Sequence, residues 1–107
     1  MSEYLQVMTT ASSEEEARRI AAALVERRLA ACVQVLGPIE SHYWWRGEIE
    51  TGQEWLCLAK TDAARYPELE TTICELHSYE EPEVIATPIV AGSRGYLEWI
   101  GESLGGA

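Results

Sequence analysis

Segments of strand and helix composition alternate as strand, helix, strand, strand, helix, strand, with one more helix at the end. That order predicts an α+β domain, a split βαβ sandwich of ferredoxin-like type. Two further observations support it. A chain of 107 residues makes a single domain, residues 1–107, with room for an ordinary core. The two middle strands are long and separated only by Arg46-Gly47, which predicts a long bent β-hairpin projecting from so small a body.

The first strand is expected over Tyr4 to Thr10. Ser12 and Ser13, each followed three residues later by Glu15 and Glu16, offer two overlapping capping boxes for the first helix. Its apolar stripe is Ala17, Ile20, Ala21 and Leu24, and Arg27 and Arg28 are expected to sit at the negative end of its dipole. Ala31 to Leu36 and Ile39 to Trp45 form the outgoing arm of the hairpin, bent at Gly37-Pro38; Ile49 to Thr61 returns, with Gly52 as a second irregularity. A turn from Asp62 and Pro67 in the first turn open the second helix, whose stripe is Leu69, Ile73 and Leu76. Val84 to Val90 is the last strand, and Pro88 marks part of it as an edge. Tyr96, Leu97, Ile100 and Leu104 make a short C-terminal helix ending at Gly105-Gly106.

Right-handed crossovers place both main helices on one face of the sheet. The strands are nevertheless apolar on both faces: Ala31, Val33 and Val35 alternate with Cys32 and Leu36, and Trp55, Cys57 and Ala59 alternate with Leu56 and Leu58. A second apolar face without helices predicts self-association.

Charge narrows the function. Eighteen acidic against eight basic side chains give a formal net charge of -10, which disfavours nucleic acid and anionic lipid as partners. No apolar run approaches the roughly 20 residues of a membrane span, and the N-terminal residues lack the order of a secretory signal, so a cytoplasmic protein is expected. Cys32, Cys57 and Cys74 have no Cys-x-x-Cys spacing and are expected as reduced thiols in the core. A Gly-rich phosphate loop, a nucleophile elbow and a His-x-x-x-His pair are all missing; no enzymatic activity and no organic cofactor are expected.

Together the segments resemble the CutA family of divalent-cation tolerance proteins from about Thr9 to Ile100. The residues that carry the resemblance are Arg28-Leu29-Ala30-Ala31-Cys32, Ser41, Tyr43, Trp45, Gly47 and Glu50 around the hairpin tip, and Glu54 and Lys60-Thr61 on the return strand. His77, Tyr79, Pro82-Glu83-Val84, Tyr96-Leu97 and Trp99-Ile100 complete the set. The resemblance implies a cytoplasmic homotrimer whose sheets interlock across subunits, a part in divalent-metal tolerance, and binding of copper or another divalent cation. It also implies an architecture similar to the PII signalling trimers. Bacterial relatives assigned a copper site carry a cysteine after the first strand and two consecutive histidines at the end of the second helix. Those positions read Thr9 and Leu76-His77 here.

The stretch Leu76 to Ile89 is where chemistry is expected to gather. His77 is the candidate metal ligand, with Glu80, Glu81 and Glu83 as nearby carboxylates, and a structural role at the helix end is its alternative. Glu50, Glu54, Lys60, Tyr79 and Glu83 form a candidate binding cluster at a subunit boundary, where Lys60 beside carboxylates suits an anionic or zwitterionic small molecule; an interfacial ion-pair network is the alternative. His42 and the run Tyr43-Trp44-Trp45 are expected as packing residues of the arm. Three functions follow: a divalent-metal tolerance trimer, a PII-like metabolite-binding module whose hairpin signals to a partner protein, or a scaffold without a ligand.

Overall fold

The computed structural model describes residues 3–105. Its elements are β1 (Tyr4–Ala11), α1 (Glu14–Glu26), β2 (Cys32–Trp45), β3 (Glu48–Asp62), α2 (Tyr66–Leu76), β4 (Val84–Pro88) and α3 (Arg94–Ser103). The four strands form one antiparallel sheet in the order β2-β3-β1-β4, as expected of a split βαβ sandwich.

Alternation along β1 decides which face is the core. Val7, Thr9 and Ala11 point to the helices and are buried, as are Cys57 and Ala59 opposite them on β3. Ile20 and Leu24 of α1 join Leu69 and Ile73 of α2 over Val7 and Ala59, so both helices share one face and one core. Ser13 caps α1 by accepting from the Glu16 N–H at 3.1 Å. Asp62 accepts from the Arg65 N–H at 2.9 Å in the turn before α2, and Pro67 lies in that helix's first turn.

Beyond the body the hairpin continues as a two-stranded arm, and the molecule measures 46 × 25 × 22 Å. The register shifts between Leu36 and Ile39, at the expected bend. Gly52, by contrast, pairs regularly with Ser41, so the second irregularity is not there. Arg46 and Gly47 make the tip with φ of 52° and 82°. Gly37 sits against Trp55: a Cβ at Gly37 would lie 2.6 Å from the Trp55 ring and 3.1 Å from its Cα. Gly37→Ala is therefore expected to lower unfolding stability by about 1–3 kcal/mol in urea titration, the usual cost of overpacking.

Several sequence expectations are corrected. Arg28 is not in the last turn of α1. It adopts φ 59° beyond the helix, and its guanidinium donates at 2.7 Å to the Ser103 carbonyl of α3. Arg65 donates at 2.6 Å to the Leu104 carbonyl, so two cations hold the carboxyl end of α3. β4 stops at Pro88 rather than Val90, on the sheet edge. The expected stop at Gly105-Gly106 is seen at Gly105, with φ 74°; Gly106 lies outside the described residues. Of the cysteines only Cys57 is in the core, its thiol pushed up to about 11 by burial. Cys32 is half-buried and Cys74 exposed.

The face opposite the helices is only partly covered. α3 packs at one end of it, where the Tyr96 hydroxyl meets the Cys32 thiol at 3.5 Å and Gly101 lies against Tyr4. The rest of that face carries Met8, Leu56 and Leu58, half-buried, with Leu36 and Ile85 exposed at 59% and 50%.

Candidate functional site

β3 runs past the last residue of β1, and the first β3 side chain beyond that pairing is Glu54, next to Trp55 opposite Ala11. The segment from His77 to Glu83, between α2 and β4, packs into this step. The strands thus open a corner where side chains from β1, α1, β3 and the hairpin arm converge.

Glu54 is nearly buried, and each of its carboxylate oxygens accepts one hydrogen bond. Ser41 Oγ donates at 2.6 Å and the Tyr79 hydroxyl at 2.8 Å. Burial and this bond to a charged acceptor push the Tyr79 phenol well above its ordinary value. The Tyr79 ring lies 4.7 Å from the His77 ring, centroid to centroid.

His77 is the C-cap of α2 with extended φ and ψ, so its ring does not cap that helix but turns toward β1. Its side chain is fully buried. Nε2 donates to the Thr10 carbonyl at 2.6 Å, and Nδ1 accepts the Tyr79 N–H at 3.1 Å. A carbonyl only accepts and an amide only donates, so this geometry selects the neutral tautomer protonated on Nε2. Both ring nitrogens are spent within the chain, and the ring as placed offers no lone pair to a cation.

Behind His77 stands a group that the sequence reading treated only as a cap. Glu16 is 4% exposed and accepts from the Ser78 N–H at 2.7 Å and the Ser78 hydroxyl at 3.1 Å, with Ser12 at longer range. Burial alone would raise its carboxyl. The donors of Ser78 and Ser12 outweigh it and hold the group below its ordinary value. The capping pattern was the only signal for this residue, and it points to the wrong partner: Glu16 reaches across to Ser78 rather than back to the Ser13 N–H.

The arm and the corner enclose a groove of about 740 Å³. Glu54, Tyr79 and Glu83 of the expected cluster line it. Within one chain Lys60 and Glu50 do not line it. Lys60 lies six residues along β3 from Glu54, roughly 20 Å at strand rise, and its ammonium donates to Gln34 at 2.7 Å. Glu50 pairs with Tyr43 out on the arm. His42 meets its own neighbours, Glu40 at 2.7 Å and Thr51 at 3.3 Å. Trp44 is 72% exposed, Tyr43 and Trp45 are exposed at 44% and 39%, and the Arg46 guanidinium lies 5.3 Å over the Trp45 ring.

A copper site at the positions implied by the resemblance does not fit the residues of one chain. Thr9 is buried with its hydroxyl unpartnered, Leu76 is apolar, and His77 has no free nitrogen. Among the described residues no group of three or more His, Cys, Asp or Glu side chains is arranged to hold a metal ion.

Comparison with known proteins completes the description. The family model described as CutA1 divalent ion tolerance protein matches residues 5–103. The divalent-cation tolerance protein CutA of Thermus thermophilus is 48% identical over 99 residues, covering 92% of this chain and 96% of the relative. The solved structure of the Thermus thermophilus divalent cation tolerance protein superposes with a TM-score of 0.90 at 47% identity, over 96% of this chain and 98% of that one. The structure of CutA from Archaeoglobus fulgidus, described as a periplasmic divalent cation tolerance protein, gives 0.91 at 40% identity, over 94% and 98%.

Proposed function

Because the chain belongs to the CutA1 divalent ion tolerance family, we propose that it works in divalent-cation tolerance as a homotrimer, by binding rather than by catalysis. The observation that carries this reading is the uncovered half of the sheet. Met8, Leu36, Leu56, Leu58 and Ile85 form a continuous apolar surface on the face opposite α1 and α2. Burying that surface against other copies of the chain removes it from water at about 25 cal/mol per Å². Three as the number of copies is what the resemblance to the CutA family implies.

Assembly also bears on the cation. One chain has no fitting copper site, so in this reading a divalent cation is held by groups that meet between subunits, where carboxylates left exposed in one chain can converge.

Native mass spectrometry of the reduced, metal-free protein, titrated with copper and zinc, tests both parts. A trimer at micromolar concentration that takes up ions in multiples of three is the expected result. A monomer under those conditions overturns the assembly, and an ion-free trimer overturns the cation. Leu58→Asp, which places a charge on the uncovered face without touching the helix-side core, is expected to shift the trimer to monomer at the same concentration.

A further inference from the structure

The face of the sheet opposite α1 and α2 carries one charge that the chain does not balance. Lys60 is the only lysine of the sequence. It stands on that face, half-buried, in a row across the sheet with Cys32, Gln6 and Thr87. The next row holds Gln34, Leu58, Met8 and Ile85, and the one after it Leu36, Leu56 and Thr10. None of these is acidic. Asp62, two residues further along β3, is engaged by Arg65 at 2.8 Å. Among the described residues the Lys60 ammonium donates to the neutral Gln34 side chain, at 2.7 Å, and to no carboxylate.

Covering this face with further copies of the chain takes an ammonium out of water along with the leucines. A buried charge without a counter-charge opposes assembly, whereas one paired to a well-placed carboxylate does not. The carboxylate therefore has to come with the covering surface. The hairpin arm answers that description. Glu50 shares the Lys60 face of β3, but ten residues of strand hold the two roughly 33 Å apart, so they cannot meet within one chain. Glu50 is exposed, lies opposite Tyr43 in the arm, and has no ion-pair partner among the described residues. Tyr43 and Trp45 flank it on the same side, both exposed. The arm thus presents an apolar strip with an anion, and the sheet an apolar face with a cation. A ring of three copies joins two different patches at every interface, which brings the distant ends of this one face together.

We infer, on the self-assembly reading above, that Lys60 of each copy forms an ion pair with Glu50 on the arm of the next copy, and that this pair anchors the arm on the sheet. The ammonium is then incomplete in one chain and satisfied only in the assembly.

Carbodiimide cross-linking of the metal-free protein tests the pair, since the reagent joins an amine only to a carboxylate already in contact and Lys60, the N-terminal amine aside, is the only amine of the chain. Covalent dimers on a denaturing gel, with the Lys60 peptide joined to the Glu50 peptide by mass spectrometry, are the expected result. Charge reversal supplies a second readout. Lys60→Glu or Glu50→Lys alone is expected to raise the protein concentration at half-assembly about tenfold. The double variant Lys60→Glu, Glu50→Lys is expected to recover most of that loss, which general damage to the fold would not do. A trimer in which Lys60 stays uncoupled, or couples to any other carboxylate, overturns the pair and leaves the assembly standing; so does a double variant no better than either single one. A monomer in native mass spectrometry overturns the assembly reading itself, and the pair with it.

Discussion

Glu16→Ala is expected to cost about 3 kcal/mol of unfolding free energy at pH 7, from two charge-assisted hydrogen bonds at roughly 1.5 kcal/mol each. The substitution removes the buried carboxylate that accepts from the N–H and hydroxyl of the exposed Ser78. Urea titration measures the loss, and hydrogen exchange is expected to show Ser78 and Tyr79 opening first. pH supplies an independent signature. The folded-state pKa of Glu16 lies below its ordinary value of 4.5, so its contribution is fully present above about that pH and is lost as pH falls through the lower folded value. The stability gap between the natural chain and Glu16→Ala should therefore be constant from pH 7 to about 5 and close in more acidic solution. A gap that stays constant down to pH 3 would mean that the carboxylate charge is not what holds the corner.

His77→Ala carries the second large effect and separates a structural histidine from a metal ligand. Removing a fully buried ring leaves a cavity, and it strips the Thr10 carbonyl and the Tyr79 N–H of their partners. Together these are expected to cost roughly 3 kcal/mol. The measurement is the urea midpoint of the metal-free protein. A ligand held only for a cation would leave that midpoint unchanged and abolish metal uptake; the geometry here predicts the reverse, a lower midpoint with metal uptake by the assembled protein retained. The same ring positions Tyr79, so the Tyr79 hydroxyl is expected to lose its bond to Glu54 in this variant.

These two residues also show where sequence reasoning stops. The helix of Glu14–Glu26 and the turn at Arg46-Gly47 were legible because capping, apolar period and turn chemistry are local. The two-faced apolar pattern of β2 and β3 was legible for the same reason, and it announced a surface that α3 leaves largely uncovered. Gly52 misled because a glycine permits a bulge without requiring one. Arg27 does stand at the end of α1, as its C-cap, but Arg28 misled because the end of another helix, remote in sequence, takes its guanidinium.

The candidate site was half legible. The stretch rich in carboxylates around Tyr79 and Glu83 was correctly singled out as a corner, yet its partners Ser41, Thr10 and Glu16 come from three other elements. No spacing rule connects residues 16 and 78. Lys60 and Glu54 share a strand and the same face, and only the extended rise of β3 carries them apart.

By itself the sequence determined the order of elements, the core stripes of α1 and α2 and the apolar character of the second sheet face, because these follow from periodicity and composition along the chain. The tertiary structure alone decided that His77 is sealed between Thr10 and Tyr79, that Glu16 anchors the corner, and that Glu54, Tyr79 and Glu83 line one groove within the chain. Each of those depends on which side chains meet across the fold, and a hydrogen bond or a burial cost exists only once both partners are in place.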